Sequence, residues 1–236
     1  MIPALLAVQR NGTGTPLFCA TPAYGDAVAL SELARLVDPE QPFYILQPPL
    51  RRGVCPVQTR EELTQIYLRE IRKIQRDGPY RIAGYCSGGL AAFELARQLT
   101  FEGETVEKLL LLDVPFGLST TFLRIDAGMR ALASKFLSRG MVAKSRVLQT
   151  IDAGVHDEAL TAHVRLFRDY LPTDYPGSIV LFEAAWSPVR LLKHREFWRK
   201  TARGGLVTCK ISGHHNNFLR RYGAELAGHV RHYLIT

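Results

Sequence analysis

Two side chains that can act as nucleophiles, Cys86 and Ser87, lie in a glycine-flanked turn between a predicted strand and a predicted helix. This is the setting of a nucleophile elbow, a strained turn that projects the nucleophile into a cleft and needs glycines two residues before and two residues after it. Cys86 has Gly84 and Gly88 at these positions, whereas Ser87 would have Tyr85 at the first of them. The spacing therefore predicts that Cys86 is the nucleophile. The backbone N–H of Ser87 is then expected to contribute to an oxyanion hole.

A thiol nucleophile needs a base, and the base needs an acid that orients it. Asp113 ends an apolar strand that follows the elbow helix, and two histidines, His214 and His215, follow a glycine after the last predicted strand. The Gly-x-His offset favours His215 as the base, with His214 as the alternative. The chain order of nucleophile, acid and histidine is that of α/β hydrolases. We therefore predict a triad of Cys86, Asp113 and His215.

A second oxyanion donor is expected from the loop after the first central strand, residues 20–25. The N–H of Ala23 is the candidate, because Pro22 has no N–H to donate and fixes the turn just before it. The alternative is an ordinary loop of the kind that proline and glycine commonly form.

Short β-rich runs alternate with helical patterns along the chain, which is typical of a mostly parallel sheet covered by helices. Helices are predicted from the capping box that begins at Thr59, over Leu90–Leu99 and over Glu225–Leu234. The fold class is therefore α/β. The predicted strands, with a further edge strand allowed at Ala4–Val8, are Leu17–Ala20, Phe43–Gln47, Tyr80–Ala83, Glu107–Asp113, Ser178–Glu183 and Leu206–Ser212.

One interval departs from this alternation. From Phe116 to Leu171 the sequence has helix-like segments rich in apolar residues and no convincing strand. More than about fifty residues is too long for a single crossover helix, so this interval is interpreted as an insertion. We expect a helical lid over the carboxyl ends of the strands, where open α/β sheets bind their ligands.

Length and composition favour one α/β domain with one core over residues 1–236. The chain is 47% hydrophobic, and no stretch approaches the length of apolar residues that a membrane span needs. The start, Met1–Val8, lacks a basic region, so no signal peptide is expected. The four cysteines show no paired spacing, which argues against a disulfide framework or a metal site and favours a reducing, cytoplasmic location.

A net charge of +8 favours acidic partners. No nucleic-acid-binding motif accompanies this charge, so a nucleic-acid partner is not expected. The densest basic stretch, Arg190–Arg203, has six Lys or Arg residues against one acid, Glu196. It is interpreted either as a solvated helix face or as a docking surface for an acidic protein.

With these residues in place, the chain resembles the type I thioesterase domains that end nonribosomal peptide synthetases and polyketide synthases. The resemblance extends from the run at Pro16–Phe18 and the Pro22–Ala23 loop, through Gly78–Tyr85, to Gly213–His215. The spacing from the elbow to Asp113 and the long insertion also fit this family.

The resemblance implies an α/β-hydrolase fold and a triad of Cys86, Asp113 and His215. The enzymes that this chain resembles take an acyl chain from the 4'-phosphopantetheine thiol of a carrier protein and release it as acid, lactone, lactam or ester. No bound cofactor or metal is implied. Two features depart from the family: serine is usual at the elbow, and a His-Pro-Ala-Gly-Gly loop is common where this chain has Thr21–Gly25.

Two other functions compete with this interpretation. The run Gly84–Gly89 also resembles the cysteine elbow of dienelactone hydrolases, small enzymes that open lactones. The long lid and the position of Asp113 so soon after the elbow argue against that class. A catalytically degenerate domain kept for docking is the second alternative, and the complete triad argues against it.

Overall fold

The computed structural model describes residues 2–21, 24–114, 153–168, 170–186 and 194–236. Within these residues, seven strands form a single sheet in the order β1-β3-β2-β4-β5-β6-β7. The strands are β1 (Leu5–Gln9), β2 (Leu17–Ala20), β3 (Phe43–Leu46), β4 (Tyr80–Tyr85), β5 (Val106–Leu112), β6 (Ile179–Ala184) and β7 (Leu206–Ile211). Each predicted strand is confirmed, with its ends shifted by at most two residues.

The sheet is parallel except at one edge, where β1 pairs antiparallel with β3. All other strands therefore end at the same edge of the sheet. In the centre, Tyr85 of β4 pairs with Leu112 of β5. The residues that follow these two, Cys86 and Asp113, consequently leave the sheet side by side.

Helices cover both faces of the sheet, and successive residues of each central strand point to opposite faces. In β2, Phe18 and Ala20 belong to one buried apolar cluster, and Leu17 and Cys19 belong to the other. The helices are α1 (Tyr24–Val37), α2 (Arg60–Arg72), α3 (Gly88–Phe101), α4 (Ala153–Phe167), α5 (His194–Thr201) and α6 (Gly223–Ile235). Residues of α2–α5 contribute to the cluster of Phe18, and residues of α1 and α6 contribute to the other.

The capping box at the start of α2 is confirmed. The Thr59 side chain accepts a hydrogen bond from the Glu62 N–H, and the Glu62 carboxylate accepts one from the Thr59 N–H. Helix α1 was not among the predicted helices, although its buried residues Leu30, Leu33 and Val37 have helical spacing.

Part of the predicted lid can be described. Residues 116–152 and residue 169 lie outside the described residues. Residues 153–167 form the helix α4, which agrees with the prediction of a helical insertion. Contacts of α4 with the loop before α2 fix its place: the Cys55 N–H donates to the Glu158 carboxylate and the Arg165 side chain donates to the Val57 carbonyl. The extent of the single domain stays a prediction.

Candidate active site

The chain turns sharply at Cys86, between β4 and α3. Its backbone has φ of 53°, a left-handed conformation that is uncommon for a residue with a side chain. Its N–H donates a 3.0 Å hydrogen bond to the carbonyl of Leu112, so the turn is tied to the end of the neighbouring strand. A strained backbone of this kind is what a nucleophile elbow needs, because it lifts the side chain out of the sheet.

The glycines around Cys86 are required by close backbone contacts. A Cβ atom on Gly84 would lie 2.5 Å from the Cα of Gly89, and one on Gly88 would lie 2.6 Å from the carbonyl oxygen of Ala20. Neither separation is compatible with a real side chain, so α3 approaches β4 and β2 only because these positions are glycine. The predicted elbow geometry is thus present in the structure.

Gly89 allows a second close contact, between α3 and Val114, the residue that follows Asp113. A Cβ atom on Gly89 would lie 2.0 Å from a methyl carbon of Val114. Val114 is fully buried, and it directly follows Asp113. The close approach of Gly89 and Val114 therefore sets how near the elbow helix lies to the end of β5.

Asp113 is held by three hydrogen bonds. Its N–H donates to the Phe182 carbonyl at 2.7 Å, and its Oδ1 accepts from the Ala184 N–H at 3.0 Å. Its Oδ2 lies 2.7 Å from Nδ1 of His215. The carboxylate is 1% exposed and its backbone, with φ of 48°, is also left-handed. One carboxylate oxygen of Asp113 thus bonds to the backbone of β6, and the other bonds to the imidazole of His215.

His215 stands in a 3-10 turn, His215–Asn217, after β7. The turn follows Gly213, whose φ of 87° and close contact with Tyr222 exclude a side chain. Because Nδ1 of His215 faces Asp113, Nε2 is the ring nitrogen left for the interaction of the imidazole with Cys86. The structure thus brings the three predicted triad side chains together. His214 is exposed, and its N–H donates to the Asn217 side chain.

The environment of His215 favours its charged form. Burial by itself lowers the pKa of His215, but the negative charge of the Cys86 thiolate and the hydrogen bond to Asp113 outweigh burial and hold that pKa well above its usual value. His215 is therefore assigned as an imidazolium. A thiolate is the reactive nucleophile, and an imidazolium can return a proton to a leaving group.

Helix α4 of the lid contacts the elbow directly. His163 is fully buried, and its Nε2 lies 2.8 Å from the carbonyl oxygen of Ser87. Its ring stacks on Phe167 with centroids 4.7 Å apart. Since a carbonyl only accepts, Nε2 carries the proton and His163 donates. The described part of the lid therefore packs onto the first turn of α3.

Residues 15–170 match the family model for the thioesterase domain. The chain belongs to the thioesterase domain family. The matched range contains Cys86 and Asp113 and ends before His215. The family match favours a thioesterase over the alternative of a lactone-opening hydrolase.

The curated relatives of this thioesterase are much longer proteins. It is 35% identical over 146 residues to atromentin synthetase invA1 of Paxillus involutus, a match covering 59% of this chain and 15% of that protein. It is 34% identical over 131 residues to the non-reducing polyketide synthase stmB of Aspergillus ustus, covering 52% of this chain and 6% of that one. The thioesterase therefore corresponds to a small part of each.

Among solved structures, the thioesterase is similar to the NocB thioesterase domain in covalent complex with a fluorophosphonate nocardicin G analog. The TM-score is 0.74 at 23% identity, over 98% of this chain and 99% of that one. This similarity, together with the mostly parallel seven-stranded sheet, confirms the predicted α/β-hydrolase fold. Family and fold together support a thioesterase enzyme with this fold.

Two other predictions have different outcomes. Ala23 lies outside the described residues, so its part in an oxyanion hole stays a prediction. Ser87 is 3% exposed and precedes the first residue of α3, the place expected for an oxyanion donor.

No group of potential metal ligands occurs among the residues that the structure describes. None of their helices is both long and apolar enough to cross a membrane.

The basic stretch near α5 is less available for docking than the sequence indicated. Arg195 pairs with Glu183, which is 1% exposed. The positive charge of Arg195 therefore neutralises a buried carboxylate. Lys200 pairs with Glu196, and Arg203 pairs with Asp174. The other interpretation, a solvated helix face, therefore describes most of α5. Arg199 is exposed and makes no ion pair with any described residue.

Sequence reasoning missed two side chains at this site. The sequence analysis assigned no role at the site to His163, and it used Tyr85 only to argue against Ser87 as the nucleophile. Yet Tyr85 stacks on the imidazole of His215 with centroids 5.2 Å apart. Neither contact has a local sequence signal, because each joins residues far apart in the chain.

Protonation of His163 is expected to contribute to acid destabilisation. Burial lowers the pKa of His163 to about 4, while the hydrogen bond with Ser87 acts in the opposite direction. An unfolded histidine titrates near pH 6.5, so the unfolded chain binds the extra proton, and stability present above that pH is lost as pH falls toward 4. From about pH 7 to about pH 5, the wild type should lose about 2 kcal/mol more than His163→Gln, which can keep the donor.

Urea unfolding at the two pH values measures this difference. His232→Gln, at an exposed position of α6, is the matched control and should follow the wild type. Equal pH dependence in the wild type and in His163→Gln would contradict the buried, neutral state of His163.

Replacement of the two neighbouring histidines should separate the base from its neighbour. His215→Ala should reduce hydrolysis of a short acyl thioester by about a hundredfold or more, because it removes the general base. His214→Ala should remain within about twofold of the wild type, since exposed positions away from the reacting groups tolerate change. Asp113→Asn should fall between them, because a thiol depends less on the acid than a hydroxyl does. Steady-state kinetics measures the three, and equal losses at both histidines would refute the assignment of His215.

Proposed function

We propose that this thioesterase releases an acyl, peptidyl or polyketide chain from the phosphopantetheine thioester of a carrier protein through an acyl-Cys86 intermediate. The observation that carries the proposal is the arrangement of Cys86, in its left-handed turn, beside His215, whose Nδ1 lies 2.7 Å from Oδ2 of Asp113. Such a pair is set for attack on a carbonyl carbon that already bears a thiol leaving group.

Acylation begins when the Cys86 thiolate attacks the thioester carbonyl. The carbonyl oxygen becomes an oxyanion, for which the N–H of Ser87 and, by prediction, that of Ala23 are the donors. As the intermediate collapses, the carbon–sulfur bond to phosphopantetheine breaks and the His215 imidazolium gives its proton to the departing sulfur. The products are an acyl-Cys86 thioester, a free carrier thiol and a neutral His215.

Deacylation uses the same groups in the reverse sense. Neutral His215 takes a proton from water, or from a hydroxyl or amine of the chain itself, and this nucleophile attacks the acyl-Cys86 carbonyl. The bond to sulfur breaks, and the Cys86 thiolate and His215 imidazolium are restored. Water gives an acid, and an internal nucleophile gives a lactone or lactam.

A cysteine at this position suits a step that keeps the acyl group activated. Transfer from the carrier thiol to Cys86 exchanges one thioester for another and is nearly neutral in free energy. A serine would store the acyl group as a less reactive ester. An acyl-cysteine therefore suits a weak second nucleophile or a strained product.

The curated relatives support a carrier protein as the source of the chain. They are a synthetase and a polyketide synthase, and this thioesterase corresponds to 15% and 6% of their lengths. The net charge of +8 complements an acidic partner. A cytoplasmic location agrees with four cysteines that are all free thiols.

Intact-protein mass after exposure to an acyl thioester tests the intermediate. Cys86→Ala should show no acyl adduct and lose about a thousandfold or more in turnover, because it removes the proposed nucleophile. Cys86→Ser should keep some turnover. Ser87→Ala should still form the adduct, because the proposed donor is its backbone N–H. An adduct that persists in Cys86→Ala but not in Ser87→Ala would show the elbow register to be wrong, and no adduct at all would favour a docking domain.

Salt dependence tests the carrier. Transfer from an intact acidic carrier should slow as salt rises, because exposed charges are screened, whereas transfer from a short uncharged thioester should barely respond. The double variant Arg199→Gln with Lys200→Gln should slow transfer from the carrier, as high salt does. It should leave transfer from the short thioester unchanged. Arg195 is left unchanged because it pairs with buried Glu183.

The matched control removes the same charge elsewhere. Arg10→Gln with Arg35→Gln changes two exposed residues near β1 and α1, at the opposite edge of the sheet from α5. This control should leave carrier transfer within about twofold of the wild type. Equal slowing by both double variants would mean that net charge, and not α5, governs docking.

A further inference from the structure

Tyr85 lies between the first elbow glycine and the nucleophile, as the last residue of β4. Its side chain is 6% exposed and belongs to the apolar cluster on the face of α1 and α6. The turn that carries His215 packs on this same face, through Phe218 and Leu219. Tyr85 directly precedes Cys86 in the chain. Its side chain packs on the same face of the sheet as the loop that supplies the base.

Tyr85 makes two separate contacts with His215. Its ring is almost parallel to the imidazole, with centroids 5.2 Å apart and an interplanar angle of 9°. Its hydroxyl donates a 3.1 Å hydrogen bond to the carbonyl oxygen of His215. The ring of Phe218 is also nearly parallel to that of Tyr85, at 6.4 Å and 11°. One side chain thus holds both the backbone and the ring of the base.

We propose that Tyr85 is a positioning residue that holds the His215 imidazole in the plane where it faces both Asp113 and Cys86. This inference rests on the proposed roles of Cys86 and His215 as the reacting pair. It assigns to Tyr85 no contact with substrate.

The geometry explains why a second restraint is needed. The hydrogen bond to Asp113 fixes Nδ1 of His215, but the ring can still turn about that point and carry Nε2 away from Cys86. A parallel ring on one face opposes this rotation, since tilting the imidazole would lose the stacking contact. The hydroxyl bond restrains the peptide from which the imidazole hangs. Orientation of this kind matters because small displacements of a catalytic group cost large factors in rate.

The electron-rich face of the phenol also favours the charged imidazole. An aromatic face attracts a nearby cation, so the stack stabilises the imidazolium more than the neutral ring. This effect has the same sign as that of the Cys86 thiolate and of Asp113. In the proposed function Cys86 attacks as a thiolate, so loss of the ring should lower the fraction of protein in the thiolate–imidazolium form at neutral pH.

Alkylation of Cys86 by iodoacetamide as a function of pH measures that fraction without an acyl substrate. The rate is read for the Cys86 peptide by mass spectrometry, because Cys19, Cys55 and Cys209 are also free thiols. Tyr85→Leu should slow alkylation at neutral pH about tenfold and move the profile toward that of an ordinary thiol. Tyr85→Phe keeps the ring and loses the hydroxyl bond, so it should slow alkylation about threefold.

Tyr44→Leu is the matched control. Tyr44 is 7% exposed and stacks on Phe18 at 5.5 Å, but it lies in the other apolar cluster. It should lose stability by thermal unfolding and keep the wild-type alkylation profile. On a short thioester, Tyr85→Leu should lower kcat and leave KM nearly unchanged.

A Tyr85→Leu profile that matches that of Tyr44→Leu, in folded protein, overturns the proposal. A Tyr85→Phe variant as slow as Tyr85→Leu also overturns it, because the ring then contributes nothing. If Tyr85→Leu does not fold, the volume-conserving Tyr85→Phe decides, and an unchanged profile overturns the proposal. A wild-type Cys86 that alkylates like an ordinary thiol would instead contradict the proposed function.

Discussion

Two neighbouring parallel strands, β4 and β5, end in register, and the next residue of each has a left-handed backbone. Those residues are Cys86 and Asp113, with φ of 53° and 48°. A left-handed non-glycine residue costs roughly 1–2 kcal/mol, so each must be held by its surroundings. The N–H of Cys86 is bonded to the end of β5, and that of Asp113 to β6. The sheet thus sets the separation of nucleophile and acid before any loop is considered.

The rest of the site is arranged around this paired strand end. Gly84, Gly88 and Gly89 let the elbow helix approach the strands, and Val114 packs where Gly89 leaves room. On one face, His163 of the lid bonds to the first turn of the elbow helix. On the other face, Tyr85 contacts the base. The reacting groups therefore lie at the end of a sheet whose two faces are covered by the two apolar clusters.

The sequence predicted the parallel sheet, the elbow and the order of the triad, because each has a local signature: β-rich runs, glycine spacing and polar residues at strand ends. It did not predict the contacts of Tyr85 or His163, because those depend on which helix and loop meet in space. A docking surface was one interpretation of the run of like charges at Arg190–Arg203, but Arg195 in this run pairs with buried Glu183, which lies 12 residues earlier. Charge counting along a chain cannot detect such a pair.

The three members of the triad differ in what supports them. Cys86 and Asp113 directly follow central strands, whereas His215 belongs to a short 3-10 turn beyond the edge strand β7. Edge elements and short turns open locally at a lower free energy than a sheet centre does. Heat or denaturant would therefore displace the base while the nucleophile and acid are still in place. Inactivation would then precede unfolding, leaving a folded protein in which Cys86 has lost its base.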